Sequence, residues 1–204
     1  MRPWTLTPER ADEAARALDR AFPDDDPLAA YLAPDPAVRR TLTAILHARS
    51  IASGLAIGRV DAWGDPIVGA AIWLPRPALE AAQAPRRRGP GPLDELGPAV
   101  AERVRRFGEV QRRLRAIARP DRHAYLDEIG VTPEHRRQGI ATALLEVGHA
   151  WADARGLPCA LEANTDANVA FYERRGYEVV DSERVAGSDL VLTAMRRRTP
   201  VADR

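Results

Sequence analysis

"GVTPEHRRQGIATALLE", Gly130 to Glu146, joins two unlike patterns. The segment leading into it, "HAYLDEIGV" (123–131), reads as a strand. Beyond the join, Ile140, Leu144, Val147 and Trp151 recur at helical spacing. Between the two lies a short turn with Pro133, Arg136, Arg137 and Gly139. A helix start offers free N–H groups and a partial positive charge, so it suits an anion. Gly139 allows the backbone to approach a ligand, and two arginines add formal charge. Cations oppose the dipole at a helix start, a local conflict expected at a functional turn. A solvated basic turn is the structural alternative. The pattern lacks the Lys-Ser/Thr pair of a P-loop and the three spaced glycines of a dinucleotide fingerprint.

Outward from that turn, "PCALEA" (158–163) reads as a strand and "DANVAFYERRG" (166–176) as a short helix with Asp166 as its cap. "YEVVDSERV" and "DLVLTAMRR" read as an antiparallel pair joined near Gly187, and the helix after the turn should end at Gly156 as its C′ glycine. Toward the N-terminus, "PWTL" is a short strand and Thr7 is expected to cap a helix with Ala14, Leu18 and Phe22 on one face. A second helix is predicted over 36–53, and two strands flank "WGDP". "PRPALEAAQAPRRRGPGPLDE" reads as a surface loop. The long helix after it carries Leu96, Val100, Val104, Phe107, Leu114 and Ile117 as its stripe, with Glu102–Arg106 and Glu109–Arg113 spaced as ion pairs. The order β-α-α-β-β-α-β-α-β-α-β-β makes residues 1–204 one mixed α/β domain.

Bulk properties narrow the function. The chain has 204 residues, 45% hydrophobic and 29% charged, with a formal net charge of +1. That balance points to neither nucleic acid nor membrane, and no stretch approaches the ~20 apolar residues of a spanning helix. A lone Cys159 builds no disulfide framework or zinc site, and the N-terminus has no signal-peptide pattern. The expectation is a cytoplasmic protein without a metal.

The turn and the segments C-terminal to it resemble the GNAT N-acetyltransferases. Their acyl-CoA motif, Q/R-x-x-G-x-G/A, reads here Arg136-Arg137-Gln138-Gly139-Ile140-Ala141, and "LEANTDANVAFYERRGYEVV" is similar to the family's second motif. Length, "ARALDRAF" and "DPAVRR" resemble puromycin N-acetyltransferase-like members. The resemblance is strongest over 123–185, the acyl-CoA-binding part, and leaves 1–122 as the acceptor-site half. It implies a GNAT fold: a twisted mixed sheet of about seven strands, flanked by helices, with splayed central parallel strands. It implies acetyl-CoA as cosubstrate. The Val131 backbone would pair with the pantetheine, and amides from Arg137 through Gln138, Gly139, Ile140 and Ala141 to Thr142 would hold the pyrophosphate. Asn168 would touch the cofactor.

Acetyl transfer to an amine needs a base, because an alkyl ammonium has a pKa of ~10. It also needs a donor for the thioester oxygen, for which the Val131 N–H is the family's candidate, and a proton for the thiolate. Glu162 is the first choice for base: a lone carboxylate in the apolar "CALEA" strand, it matches a base glutamate of ribosomal-protein N-acetyltransferases. Asp127 and Glu128 are rivals. Adjacent strand residues face opposite ways unless a bulge intervenes. Tyr172 is the expected acid for the coenzyme A thiol. Cys159 reads as structural, and His47, His123, His135 and His149 as isolated. Residues 24–26, all aspartate, are a candidate attractor for a cationic amine.

The expected function is acetylation of a primary amine of a small molecule, with an antibiotic such as puromycin as one candidate, by direct attack in a ternary complex. Acetylation of a polyamine or protein N-terminus, or a regulatory acyl-CoA-binding module, are the alternatives. A monomer or homodimer is expected.

Overall fold

The computed structural model describes residues 1–22, 26–75, 93–118 and 122–199. Seven strands form one sheet: β1 (Trp4–Thr5), β2 (Arg59–Trp63), β3 (Gly69–Pro75), β4 (Ala124–Val131), β5 (Cys159–Ala163), β6 (Glu178–Arg184) and β7 (Val191–Arg197). Their spatial order is β1-β2-β3-β4-β5-β7-β6. All neighbours are antiparallel except β4 and β5, the product of a crossover through a helix.

Among the described residues, six α-helices cover the sheet: α1 (Ala11–Ala21), α2 (Pro27–Leu32), α3 (Pro36–Ile57), α4 (Pro98–Ala118), α5 (Ile140–Asp153) and α6 (Asp166–Glu173). Strand alternation sorts them into two layers. On β3, Ala70, Ile72 and Leu74 pack with Leu18 of α1 and Ile51 of α3, whereas Ala71 and Trp73 join Leu144 and Leu145 of α5 on the other face. On β7, Leu192 and Ala194 meet Val110 and Leu114 of α4, while Met195 turns to the α5 side. Helices α1, α3 and α4 therefore share one face, and α5 occupies the opposite one. Gly148 is required where α5 crosses Trp73: a Cβ there would lie 2.0 Å from the indole Nε1.

Several local expectations are corrected. α2 is an additional helix; its cap is Asp26, whose carboxylate accepts from the Ala29 N–H at 2.9 Å. Thr7 supplies no side-chain cap, and the first helix opens as a 3-10 turn over Pro8–Arg10. α3 runs past residue 53 to Ile57. Thr165, not Asp166, caps α6 by accepting from Asn168 N–H, because its extended backbone aims Oγ1 at the first turn. α5 ends at Asp153 with Ala154 as C-cap, so Gly156 lies one position beyond C′; it still takes the left-handed conformation, φ 64°. On α4, Ile117 is exposed and Val110 takes its place inside. Glu102 does pair with Arg106, but Glu109 pairs with Arg105, and Arg113 reaches across to Glu183 of β6. Residues 24 and 25, and residues 76–92 of the stretch read as a surface loop, lie outside the described residues.

Candidate active site

The site begins where the sheet comes apart. β4 and β5 pair only at Ala124–Cys159 and Tyr125–Ala160. Beyond Tyr125 they diverge and leave a wedge whose backbone groups are not consumed by sheet bonds. The β4 edge facing the wedge can be assigned. Thr132 N–H bonds back to Val68 on the β3 side at 2.9 Å. Alternation along an antiparallel strand then turns the Val131 N–H and C=O the other way, toward the wedge.

At one end of the wedge, β4 passes into α5. Arg137 holds φ 62° and Gly139 φ 80°, with Gly139 as the N-cap. A non-glycine residue in the left-handed region is uncommon and marks a backbone shaped for some purpose. A Cβ on Gly139 would meet nothing within 4 Å, so its glycine serves conformation and open access, not packing. The first intrahelical bond runs from Ala143 N–H to Gly139. The amides of Ile140, Ala141 and Thr142 therefore have no acceptor in the helix. A cavity of about 320 Å³ covers this turn, lined by Val131, Arg136, Arg137, Gly139, Ile140, Ala141 and Thr142.

The two arginines do different things. Arg137 and Gln138 are exposed; Gln138 donates its side-chain amide to the Glu134 carbonyl at 3.3 Å. Arg136 instead donates to the carbonyls of Ala21, at 2.7 Å, and Val131, at 3.3 Å, tying the end of α1 to the end of β4. Its guanidinium is committed to the backbone. Arg175 stands on the far wall, its guanidinium 3.6 Å from the Phe171 ring centroid and bonded to the Thr142 hydroxyl at 2.5 Å. Arg175 lies outside the acyl-CoA motif; its place in "FYERRG" is the signal the sequence offers for it.

At the other end, a second cavity of about 300 Å³ brings together Asp127, Glu128, Glu162, Tyr172 and Asn168. The adjacent pair Asp127 and Glu128 reaches one cavity because of a bulge: Ile72 faces Glu128 but Trp73 faces Leu126, leaving Asp127 as the extra residue. The walls come from Phe22, Leu28, Leu42, Leu46 and Phe107, and Asp26 sits among them.

The two glutamates have unlike surroundings. Glu162, with a side chain only 4% exposed, accepts from the Tyr125 hydroxyl at 2.7 Å and the Gln111 amide at 3.1 Å, and pairs with Arg115 at 3.5 Å. Arg115 also donates to the Tyr125 hydroxyl and lies over that ring, 4.6 Å from its centroid. Burial opposes its charge, but Tyr125 and Glu162 more than compensate and hold Arg115 protonated. Glu128 stands in a different setting, its side chain 17% exposed. Burial, with Asp127 beside it, pushes its carboxyl well above the ordinary carboxylate range. Its Oε2 is buried with no hydrogen-bond partner. Asp127 accepts from Ser50 Oγ at 2.7 Å. His47, isolated in sequence, lies between Glu128 and Asp19 and is buried.

Tyr172 is buried against Phe171 and Tyr177, and burial raises its phenol above its ordinary value. Asn168, exposed at the start of α6, bonds Asn164 at 3.5 Å. Cys159 is buried and its thiol pushed up to about 11 by burial, the environment of an inert side chain. His149 is buried and lowered to about 4, bonded to the Tyr177 hydroxyl. Among the described residues no cluster of His, Cys, Asp or Glu could hold a metal ion, and no helix is long and apolar enough to cross a membrane.

A sequence profile described as "Acetyltransferase (GNAT) family" matches residues 93–177. Nearly the whole chain superposes on solved structures of the same architecture. One is from Corynebacterium glutamicum, described as histone acetyltransferase and related acetyltransferase: TM-score 0.61, 20% identity, 98% of this chain and 97% of that one. A putative arylalkylamine N-acetyltransferase of the mosquito Aedes aegypti gives 0.68 at 18% identity, over 97% and 86%. A polyamine N-acetyltransferase of Drosophila melanogaster, which forms N-acetylagmatine, gives 0.67 at 12% identity, over 96% and 98%. The mixed sheet with its parted β4–β5 pair is the GNAT fold.

Proposed function

We propose that this protein is an acetyl-CoA-dependent N-acetyltransferase that acylates a primary amine of a small molecule by direct attack in a ternary complex. The observation that carries this reading is the wedge: a nest of free amides lies at one end and a carboxylate-lined cavity at the other. The nest fits a diphosphate. Its amides converge through the left-handed Arg137 and Gly139, its mouth is unobstructed, and Arg137 adds charge that no described side chain consumes. Amides of residues 137–142 are assigned to the pyrophosphate, the Val131 backbone to the pantetheine, and Asn168 to its flank. Acetyl-CoA supplies an activated acetyl thioester.

Each remaining role goes to a residue of the second cavity. The Val131 N–H donates to the thioester oxygen as negative charge develops there. Glu128 is assigned as the base in preference to Glu162. Its unpartnered Oε2 can receive an amine proton, and a raised pKa suits proton transfer near neutrality. Glu162, whose Oε2 takes donors from Arg115, Tyr125 and Gln111, braces the cavity floor. Asp127 sustains the field that keeps Glu128 basic and attracts the ammonium. Tyr172 protonates the departing thiolate: it lines the same cavity as the carboxylates, and burial keeps its phenol protonated.

The acceptor is a cation with an apolar body, because the walls are leucine and phenylalanine while the inner end is acidic. A purely sensory acyl-CoA module would need the nest but not these carboxylates. The test is thiol release from acetyl-CoA across a panel holding 2-phenylethylamine, puromycin, spermidine, an aminoglycoside and an N-terminal peptide. Turnover confined to the amines with an apolar body supports the reading. Binding of acetyl-CoA with no thiol release for any amine would return the chain to a binding module.

A further inference from the structure

Acetylation of an ammonium balances only when its nitrogen gives up two protons. R–NH₃⁺ and the thioester yield the amide, the thiol and one proton to solvent. One proton ends on sulfur, and the other has to leave a cavity whose mouth is filled by the substrates. Resting on the acetyltransferase reading, we propose that His47 and Asp19 form the exit route for this proton, carrying it from Glu128 to water.

The three side chains stand in line on three elements. Glu128 Oε1 of β4 is 4.0 Å from His47 Nε2 of α3, and His47 Nδ1 is 2.6 Å from Asp19 Oδ1 of α1. The side chains are 17% exposed at Glu128, 6% at His47 and 35% at Asp19, so the line ends on its most exposed member. The His47 ring is stacked on Phe22, centroids 5.1 Å apart, with Nδ1 toward Asp19 and Nε2 toward Glu128 at the edge of the cavity. The other charged groups nearby do not compete for this path. Asp127 of β4 is taken by Ser50 of α3, Arg136 by the end of α1, and Glu162 by Arg115 of α4; Asp26 caps α2.

Bonds and protons balance at each step. An N–H bond of the ammonium breaks as an O–H bond forms on Glu128. A turn of that carboxyl shortens the 4.0 Å gap to about 3 Å. Glu128 then yields its proton to His47 Nε2, giving an imidazolium held by the Asp19 carboxylate. The imidazolium discharges one proton to water by way of Asp19 and returns to neutrality. A pure tether between α1 and α3 would use the same 2.6 Å bond, so the test needs readouts that a tether does not move.

The experiment measures the full-length His47→Ala, His47→Phe and Asp19→Asn variants with acetyl-CoA and 2-phenylethylamine, or whichever panel amine is turned over. His47→Ala is expected to lower kcat about 10- to 100-fold with KM for acetyl-CoA unchanged, and added imidazole to restore several-fold of it. Asp19→Asn should slow turnover and make it depend on buffer concentration, whereas wild type is insensitive. A His47→Ala enzyme with wild-type kcat, or a loss that His47→Phe repairs and imidazole does not, overturns the relay while leaving the acetyltransferase reading intact. A wild-type protein that releases no thiol with any amine overturns both. A turnover-independent readout is ¹⁵N NMR of the His47 ring. Glu128→Gln is expected to shift the Nε2 resonance, and an unmoved resonance counts against the relay.

Discussion

The two walls of the wedge each carry a glutamate, and the two have been given opposite surroundings. On β5, Glu162 is surrounded by donors from Tyr125, Gln111 and Arg115. On β4, Glu128 is packed beside another carboxylate with one oxygen left bare. A carboxylate already matched by a cation gains little by taking a proton. One that is desolvated and crowded by like charge gains a great deal. Residue type and strand position thus name candidates for a base, while the neighbours contributed by distant helices choose between them.

Neutralising each glutamate in turn sets the two walls directly against each other. Glu128→Gln is expected to lower kcat by roughly 10²–10⁴-fold with acetyl-CoA affinity unchanged, read by steady-state kinetics and calorimetry. Glu162→Gln should retain far more activity. If the larger loss fell on Glu162, the assignment of the base would reverse.

Removing the cation that distinguishes the β5 wall comes next. Arg115→Met leaves Glu162 buried without its charge partner and should cost about 3 kcal/mol in a denaturant titration. Arg115→Met combined with Glu162→Gln should recover most of that, and failure to recover would mean Arg115 matters mainly through its packing on Tyr125.

The β4 wall should show the converse in its pH dependence. A carboxyl with a raised folded pKa favours the protonated form. Its stabilising contribution is complete below the unfolded value near 4.5 and disappears as pH rises through the folded value. Glu128→Gln should therefore raise Tm at pH 8 and leave it nearly unchanged at pH 4. A variant less stable than wild type at pH 8 would show that the Glu128 charge is not strained. In wild type, the ascending limb of kcat against pH should lie above the ordinary carboxylate range.

The smallest effect belongs to the nest. Gly139→Ala meets no atom, so the cost is backbone alone, about 1–2 kcal/mol for φ 80°. It should fall on coenzyme A affinity more than on amine KM.

Much of this architecture was legible in the sequence, and the reason is local. The β4–α5 turn announces itself because helix periodicity, a glycine and misplaced cations sit within ten residues, and the order of strands can be read from their flanks. The bulge at Asp127 was not legible: it arises from the register between β3 and β4, which no pattern within "HAYLDEIGV" encodes. Nor were the partners of the glutamates. His47 reads as one histidine on a helix until α1 and β4 bring Asp19 and Glu128 to its two nitrogens. Arg136 shows the same limit, since the carbonyl it serves lies 115 residues away on α1. α2 escapes a reading by periodicity because six residues give too short a period to recognise, and its cap is Asp26, the last of three consecutive aspartates.

Every catalytic role in the wedge depends on the amides opening α5 holding the diphosphate of acetyl-CoA. A pair of calorimetric titrations of the full-length protein tests this, one with coenzyme A and one with pantetheine, which lacks the diphosphate. Coenzyme A is expected to bind, and pantetheine to bind orders of magnitude more weakly. Equal affinity for the two, or no heat with either, would contradict the diphosphate nest.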